Sequence, residues 1–199
     1  MARRLPGLGV VLSGLALSGA MALASSSNEP EPFAVILGTA QDGGLPQVGG
    51  LAPEDGAARR DPGRRRLVAS LLVVDPKSGE RFLIDATPDL REQVDRADAL
   101  APRPKSEARP PLFDAIALTH AHVGHYAGLM HLGREAYGAN AQRVLATNRM
   151  ATFLETNGPW DLLVKLRHIA IERVTADKPA RLNDRITVTP IAVDRPRGA

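Results

Sequence analysis

The 199-residue chain has no cysteine, which excludes a disulfide scaffold and a thiolate metal site. Any bound metal must therefore rest on histidine and carboxylate. Aromatic residues make up only 4% of the chain, too few for the stacking platforms that grip single-stranded nucleic acid. Neither charge sign dominates: 25 Lys and Arg stand against 22 Asp and Glu, a net charge of +3. With 44% hydrophobic and 24% charged residues, the chain is also neither disordered nor fibrous.

The longest uncharged run lies at the N-terminus. Arg3 and Arg4 precede an apolar stretch, and the small-residue triplet Ala22-Leu23-Ala24 leads into Ser25, Ser26 and Ser27. This is the pattern of a cleaved export signal over residues 1–24, followed by a linker over 25–32 and one domain over 33–199. Pro6 and four glycines weaken the alternative of a retained membrane helix, so no stable span is expected after cleavage. Without Arg3 and Arg4 the 25 bases become 23 against 22 acids, a net charge near +1. Nucleic acid is thus not an expected partner. The expected location is periplasmic or secreted, and the expected ligand is a small molecule.

Apolar runs and turn signals order the rest. Residues 33–37 form a strand entering a glycine-rich loop, Gln41-Asp42-Gly43-Gly44-Leu45-Pro46-Gln47, which lacks the Lys-Ser/Thr of a phosphate cradle. Residues 52–66, with five arginines, read as a solvated polar loop or an anion-binding edge. Residues 67–74 and 81–84 read as a hairpin closed by Asp85. Thr87 and Pro88 signal a helix start, with Leu90, Val94 and Ala97 on its apolar face. Strands are expected at 115–118, 143–146, 166–171 and 186–193. Helices are expected at 126–137 and after Asn148. Strands followed by strand–helix alternation make an α/β layered fold.

Three of the five histidines fall between residues 120 and 125, directly after an apolar strand: Thr119-His120-Ala121-His122-Val123-Gly124-His125. His120 and His122, two apart in an extended loop, project to one side and can hold one ion. His125 can aim at the same or an adjacent ion. Neutral imidazole suits Zn2+, with Fe possible. His131 and His168 read as structural.

His-x-His-x-Gly-His after a short strand resembles the signature of the metallo-β-lactamase superfamily, which carries Asp where Gly124 stands. Residues 81–89 (RFLIDATPD) resemble that family's strand ending in a buried Asp. Residues 35–47 (VILGTAQDGGLPQ) and the run HAHVGHYAGLMHLGREA resemble its branch related to pyrroloquinoline quinone biosynthesis protein B. The resemblance spans residues 33–193. It implies an αββα sandwich, of which this chain matches the first half and part of the second, so C-terminal incompleteness is expected.

By the same resemblance, His120 and His122 would be ligands of a first metal and His125 of a second. Asp85 would orient the histidine loop, and metal-bound hydroxide would attack an ester, amide or lactone. Gly124 supplies no ligand. The strand end at 186–193, where the family's next ligand histidine would stand, carries none, and Asp194 could stand in. The branch's usual cysteines are missing beside Gly49 and Gly50. The alternative is therefore a non-catalytic metal-binding relative.

Overall fold

The computed structural model describes residues 29–103 and 109–193; the export-signal reading and Asp194 lie outside them. Strands β1 (Phe33–Gly38), β2 (Ser70–Asp75), β3 (Glu80–Ile84), β4 (Ala115–Ala117), β5 (Gln142–Thr147) and β6 (Ile169–Val174) form one sheet in sequential order. β1, β2 and β3 pair antiparallel, then β3 to β6 pair parallel. β1 therefore runs in the same direction as β3 to β6. All five end at one edge, where open α/β sheets place their sites.

Period-two alternation gives this sheet two different faces. Leu72, Val74, Leu83, Ile116, Val144 and Ile169 pack on one side with the helices. These are α2 (Leu90–Leu100), α3 (Asn148–Thr156) and α4 (Trp160–Lys165). Phe82, Ala115, Leu145 and Val174 point to the other side. That side meets Leu182, Ile186 and Val188 around a small hairpin, β7 (Ala180–Arg181) with β8 (Thr187–Val188). Arg143 ties the hairpin to β5 by donating to the carbonyls of Leu182 at 3.0 Å and Arg181 at 2.7 Å. The αββα expectation is met by this mixed sheet with its helical layer on one side.

Several expectations are corrected. Residues 52–66 are not a loop: they hold α1 (Pro53–Arg60) and a 3-10 turn (Pro62–Arg64). Pro53 opens α1, Glu54 and Asp55 lie in its first turn, and Arg59 and Arg60 in its last, which matches the helix dipole. Arg59 of α1 donates to the carbonyls of Gln47 and Gly50, and Arg64 of the 3-10 turn pairs with Asp61.

Residues 126–137 form no α-helix but a 3-10 segment, Ala127–Leu132, preceded by another at Val123–His125. Gly128 lies so near the β3–α2 connection that a β-carbon there would sit 2.1 Å from the Thr87 carbonyl oxygen. Helix α2 begins at Leu90, not Pro88. Thr87 instead accepts from the Asp89 amide at 3.1 Å and donates to the buried Gln93 at 2.8 Å. Helix α3 starts at Asn148 itself, behind Thr147. The strand expected at 166–171 lies at Ile169–Val174, because α4 runs on to Lys165 and Leu166 ends it. Of 186–193 only Thr187–Val188 is strand, since Pro190 lacks an amide for further pairing.

One buried cation locks the helical side. Arg81 is 2% exposed, donates to the carbonyls of Leu112 and Ala101, and pairs with Asp98 at 2.6 Å. Burial pushes the Asp98 carboxyl upward. Hydrogen bonds from Arg103 and Arg81 outweigh that and hold it below its ordinary range.

Candidate functional site

The site collects at the carboxyl edge of the sheet because β1, β3 and β4 all end there. β1 leads to Asp42, β3 to Asp85, and β4 to the histidine loop. Asp85 is the anchor. It takes a left-handed backbone (φ 66°), which Asp tolerates better than most residues, and is 5% exposed. Its amide donates to the Ala117 carbonyl at 2.8 Å, and its own carbonyl accepts from the Ser70 hydroxyl at 3.1 Å. Its carboxylate accepts from the Thr119 amide at 2.8 Å, the Thr119 hydroxyl at 2.7 Å, and meets His125 Nδ1 at 2.7 Å. Asp85 thus bonds to both ends of the histidine loop, at Thr119 and at His125.

His125 is held at its other flank by the core. The next residue, Tyr126, is buried against Trp160 (ring centroids 4.9 Å apart) and Phe153 (5.5 Å). The His125 carbonyl accepts from the Ala86 amide at 3.0 Å. The fold brings all three expected histidines together: His120 lies 4.1 Å from His125 and 4.7 Å from His122, centroid to centroid. It does not bring in His131 or His168. His168 Nδ1 meets the Ala139 carbonyl at 2.8 Å, the structural role expected of it.

One residue was missed in the sequence. Asp42, from the glycine-rich loop, places Oδ1 3.2 Å from His125 Nε2 and Oδ2 3.7 Å from His122 Nδ1. Its loop is firmly placed. The Gly44 amide donates to the Gln41 carbonyl, Leu45 and Arg66 exchange backbone bonds at 2.9 Å, and Asp55 of α1 accepts from the Gln47 amide at 2.6 Å. The signal that could have found it is a lone acid in a tight Asp-Gly-Gly turn, in a chain whose histidine motif lacks its own.

In kind, three imidazoles and two carboxylates are a donor set that suits a divalent cation. Yet among the described residues no group of three or more such side chains is gathered as a preformed metal site. Both ring nitrogens of His125 meet carboxylates, Asp85 at 2.7 Å on one side and Asp42 at 3.2 Å on the other. Beside the cluster lies a cavity of about 880 Å³, walled by His120, His122 and the strand ends at Ile84, Ala117 and Thr147, with Ile191 opposite.

The sequence matches the beta-lactamase superfamily domain over residues 80–199. The chain belongs to that superfamily. It is 32% identical over 161 residues to coenzyme PQQ synthesis protein B of Methylobacterium sp. (strain 4-46), covering 80% of this chain and 52% of that protein. Against the same protein of Methylobacterium nodulans, identity is 35% over 133 residues, covering 65% and 42%. Among solved structures, Zn2+-bound PqqB from Methylobacterium extorquens superposes with a TM-score of 0.65 at 23% identity, covering 80% of this chain and 55% of that one. The chain spans about half the length of the curated relatives it matches. The metallo-β-lactamase fold and the likeness to the PQQ synthesis branch, both expected from the motifs, are shown.

Proposed function

We propose that this protein is an exported, metal-dependent hydrolase-like member of the superfamily, acting on a small ester, amide or lactone. The observation that carries this reading is the gathering of His120, His122 and His125, with Asp85 and Asp42 against the His125 ring and with His120 and His122 lining a cavity. His120 and His122 would hold a first cation, Zn2+ or Fe, with His125 toward a second. When bound, such an ion polarises a carbonyl and lowers the pKa of water.

The chain's own residues do the rest. Asp85 fixes the His125 ring by its Nδ1 edge and so turns Nε2 outward, toward Asp42. Asp42, 42% exposed at its side chain, meets that Nε2 with Oδ1 at 3.2 Å. The apolar walls at Ile84, Leu118, Leu145 and Val174 suit a substrate with a hydrophobic part. No helix among the described residues is long and apolar enough to cross a membrane. Export by a cleaved signal over residues 1–24 belongs to the same proposal, and nucleic acid is not a partner in it.

The test is elemental analysis of purified protein together with turnover of a generic ester and lactone panel. We expect stoichiometric metal, lost in His120→Ala/His122→Ala, and turnover abolished by a chelator. Metal without turnover would favour the second reading, a non-catalytic metal binder, which Gly124 and the paired state of His125 make specific. No metal uptake would sink both. N-terminal sequencing of the exported protein should begin at Ser25.

A further inference from the structure

Building on the metal-binding role just proposed, we infer that Asp42 has taken over the place of the carboxylate absent at position 124. The metal-site aspartate is thus supplied from the β1 loop instead of the histidine loop. The ground is steric. Gly124 is buried, and a β-carbon on it would lie 2.5 Å from Cα of Asp42, 2.5 Å from its Cβ and 2.8 Å from its Cγ. Those are far inside contact distance, and two of the three colliding atoms belong to the aspartate side chain itself. A side chain at 124 and Asp42 in its present place therefore exclude one another. The volume that a residue at 124 would fill is filled by Asp42.

What Asp42 brings to that volume is a carboxylate aimed at the histidines. One oxygen faces His125 and the other His122. It spans the two rings that flank Gly124 in the sequence, as a side chain on Gly124 itself would. Its loop shows the construction of a fixed element. Beyond the Leu45–Arg66 pairing, the Ala69 amide donates to the Ala40 carbonyl at 2.9 Å, and Arg59 clamps the carbonyls of Gln47 and Gly50 at 2.9 and 2.8 Å. α1, which reaches the site by no side chain of its own, thereby gains a purpose: it holds the loop that delivers Asp42. Oxygen from carboxylate combined with imidazole nitrogen is a donor mixture for a Zn2+-type ion.

The inference is tested by Zn2+ binding to the full chain, measured by calorimetric titration and elemental analysis, without reference to turnover. Wild type is read first. If it takes up no Zn2+, the proposed function fails and this inference with it. If it does, Asp42→Asn, which keeps the shape and removes the charge, should weaken Zn2+ binding by about 10–100-fold, the range seen even for groups one step from a metal. Wild-type affinity in Asp42→Asn would overturn the inference while leaving the function standing.

Position exchange supplies a second arm. Gly124→Asp alone should lower Tm because of the collision. Asp42→Gly removes the collisions with Cβ and Cγ but not the one with Cα at 2.5 Å, so Asp42→Gly/Gly124→Asp should recover only part of the Tm lost in Gly124→Asp, together with Zn2+ affinity relative to Asp42→Gly. A double variant that binds no better than Asp42→Gly would equally overturn the exchange, and circular dichroism confirms that each variant is folded before it is titrated.

Discussion

The two faces of the central sheet carry similar side chains and are treated very differently. On one, Leu83, Ile116 and Val144 are sealed beneath three helices and the aromatic trio of Tyr126, Phe153 and Trp160. On the other, Phe82, Leu145 and Val174 meet only a short hairpin, and Leu145 and Val174 also line the cavity beside the histidines. The first face holds the strands in place. The second leaves room at their carboxyl ends. A site needs both: rigid anchors below the loops and open space above them.

The largest effects should separate the faces. Leu83→Ala, beneath the helices, should cost about 4 kcal/mol in urea unfolding, and Leu145→Ala about 2 kcal/mol, because a void beside an open cavity is more easily filled. Equal losses, or the reverse order, would break the contrast. At the junction of the two faces, Asp85→Ala should cost about 3 kcal/mol, since it strands Thr119 and His125 and puts alanine in a left-handed backbone. Asp85→Asn, which tolerates that backbone and keeps an acceptor, should cost about 1 kcal/mol. If the two variants lose equally, the role of the backbone is less than stated here.

Arg143→Met should release the β7–β8 hairpin at a cost of about 1 kcal/mol, visible as faster amide exchange at Leu182 and Ile186 but not at Leu83. The smallest effect concerns acid. The Asp98 carboxyl titrates lower folded than unfolded, so its contribution is present above its unfolded pKa and is lost as pH falls through the folded value. The gap in unfolding midpoint between wild type and Asp98→Asn should therefore narrow from pH 7 to pH 3. A constant gap would mean that charge at Asp98 is not what secures Arg81.

Much of the fold follows from local pattern. The β2–β3 hairpin, the strand before the histidines, α2 and α3 were legible because apolar period and turn chemistry act over a few residues. α1 was not, because Gly56 and a run of arginines hide a helix whose ends suit its dipole and whose arginines bond to a neighbouring loop. The segment after His125 misled in the opposite sense. Its helical period is real, but close approach of Gly128 to the Thr87 carbonyl leaves room only for a tighter turn.

By itself the sequence determined that any metal must rest on histidine and carboxylate, that the histidines cluster behind one strand, and that Asp85 closes another. Absent cysteine and a short motif suffice for that, since both are statements about neighbours in the chain. Only the tertiary structure decided that Asp42 belongs with them. Eighty-odd residues separate it from His125, and what joins them is the shared direction of β1, β3 and β4 together with the room that Gly124, lacking a side chain, leaves for Asp42. Neither is written in any local stretch, because strand direction depends on the whole sheet's pairing and the fit of Asp42 against Gly124 exists only once two loops have packed.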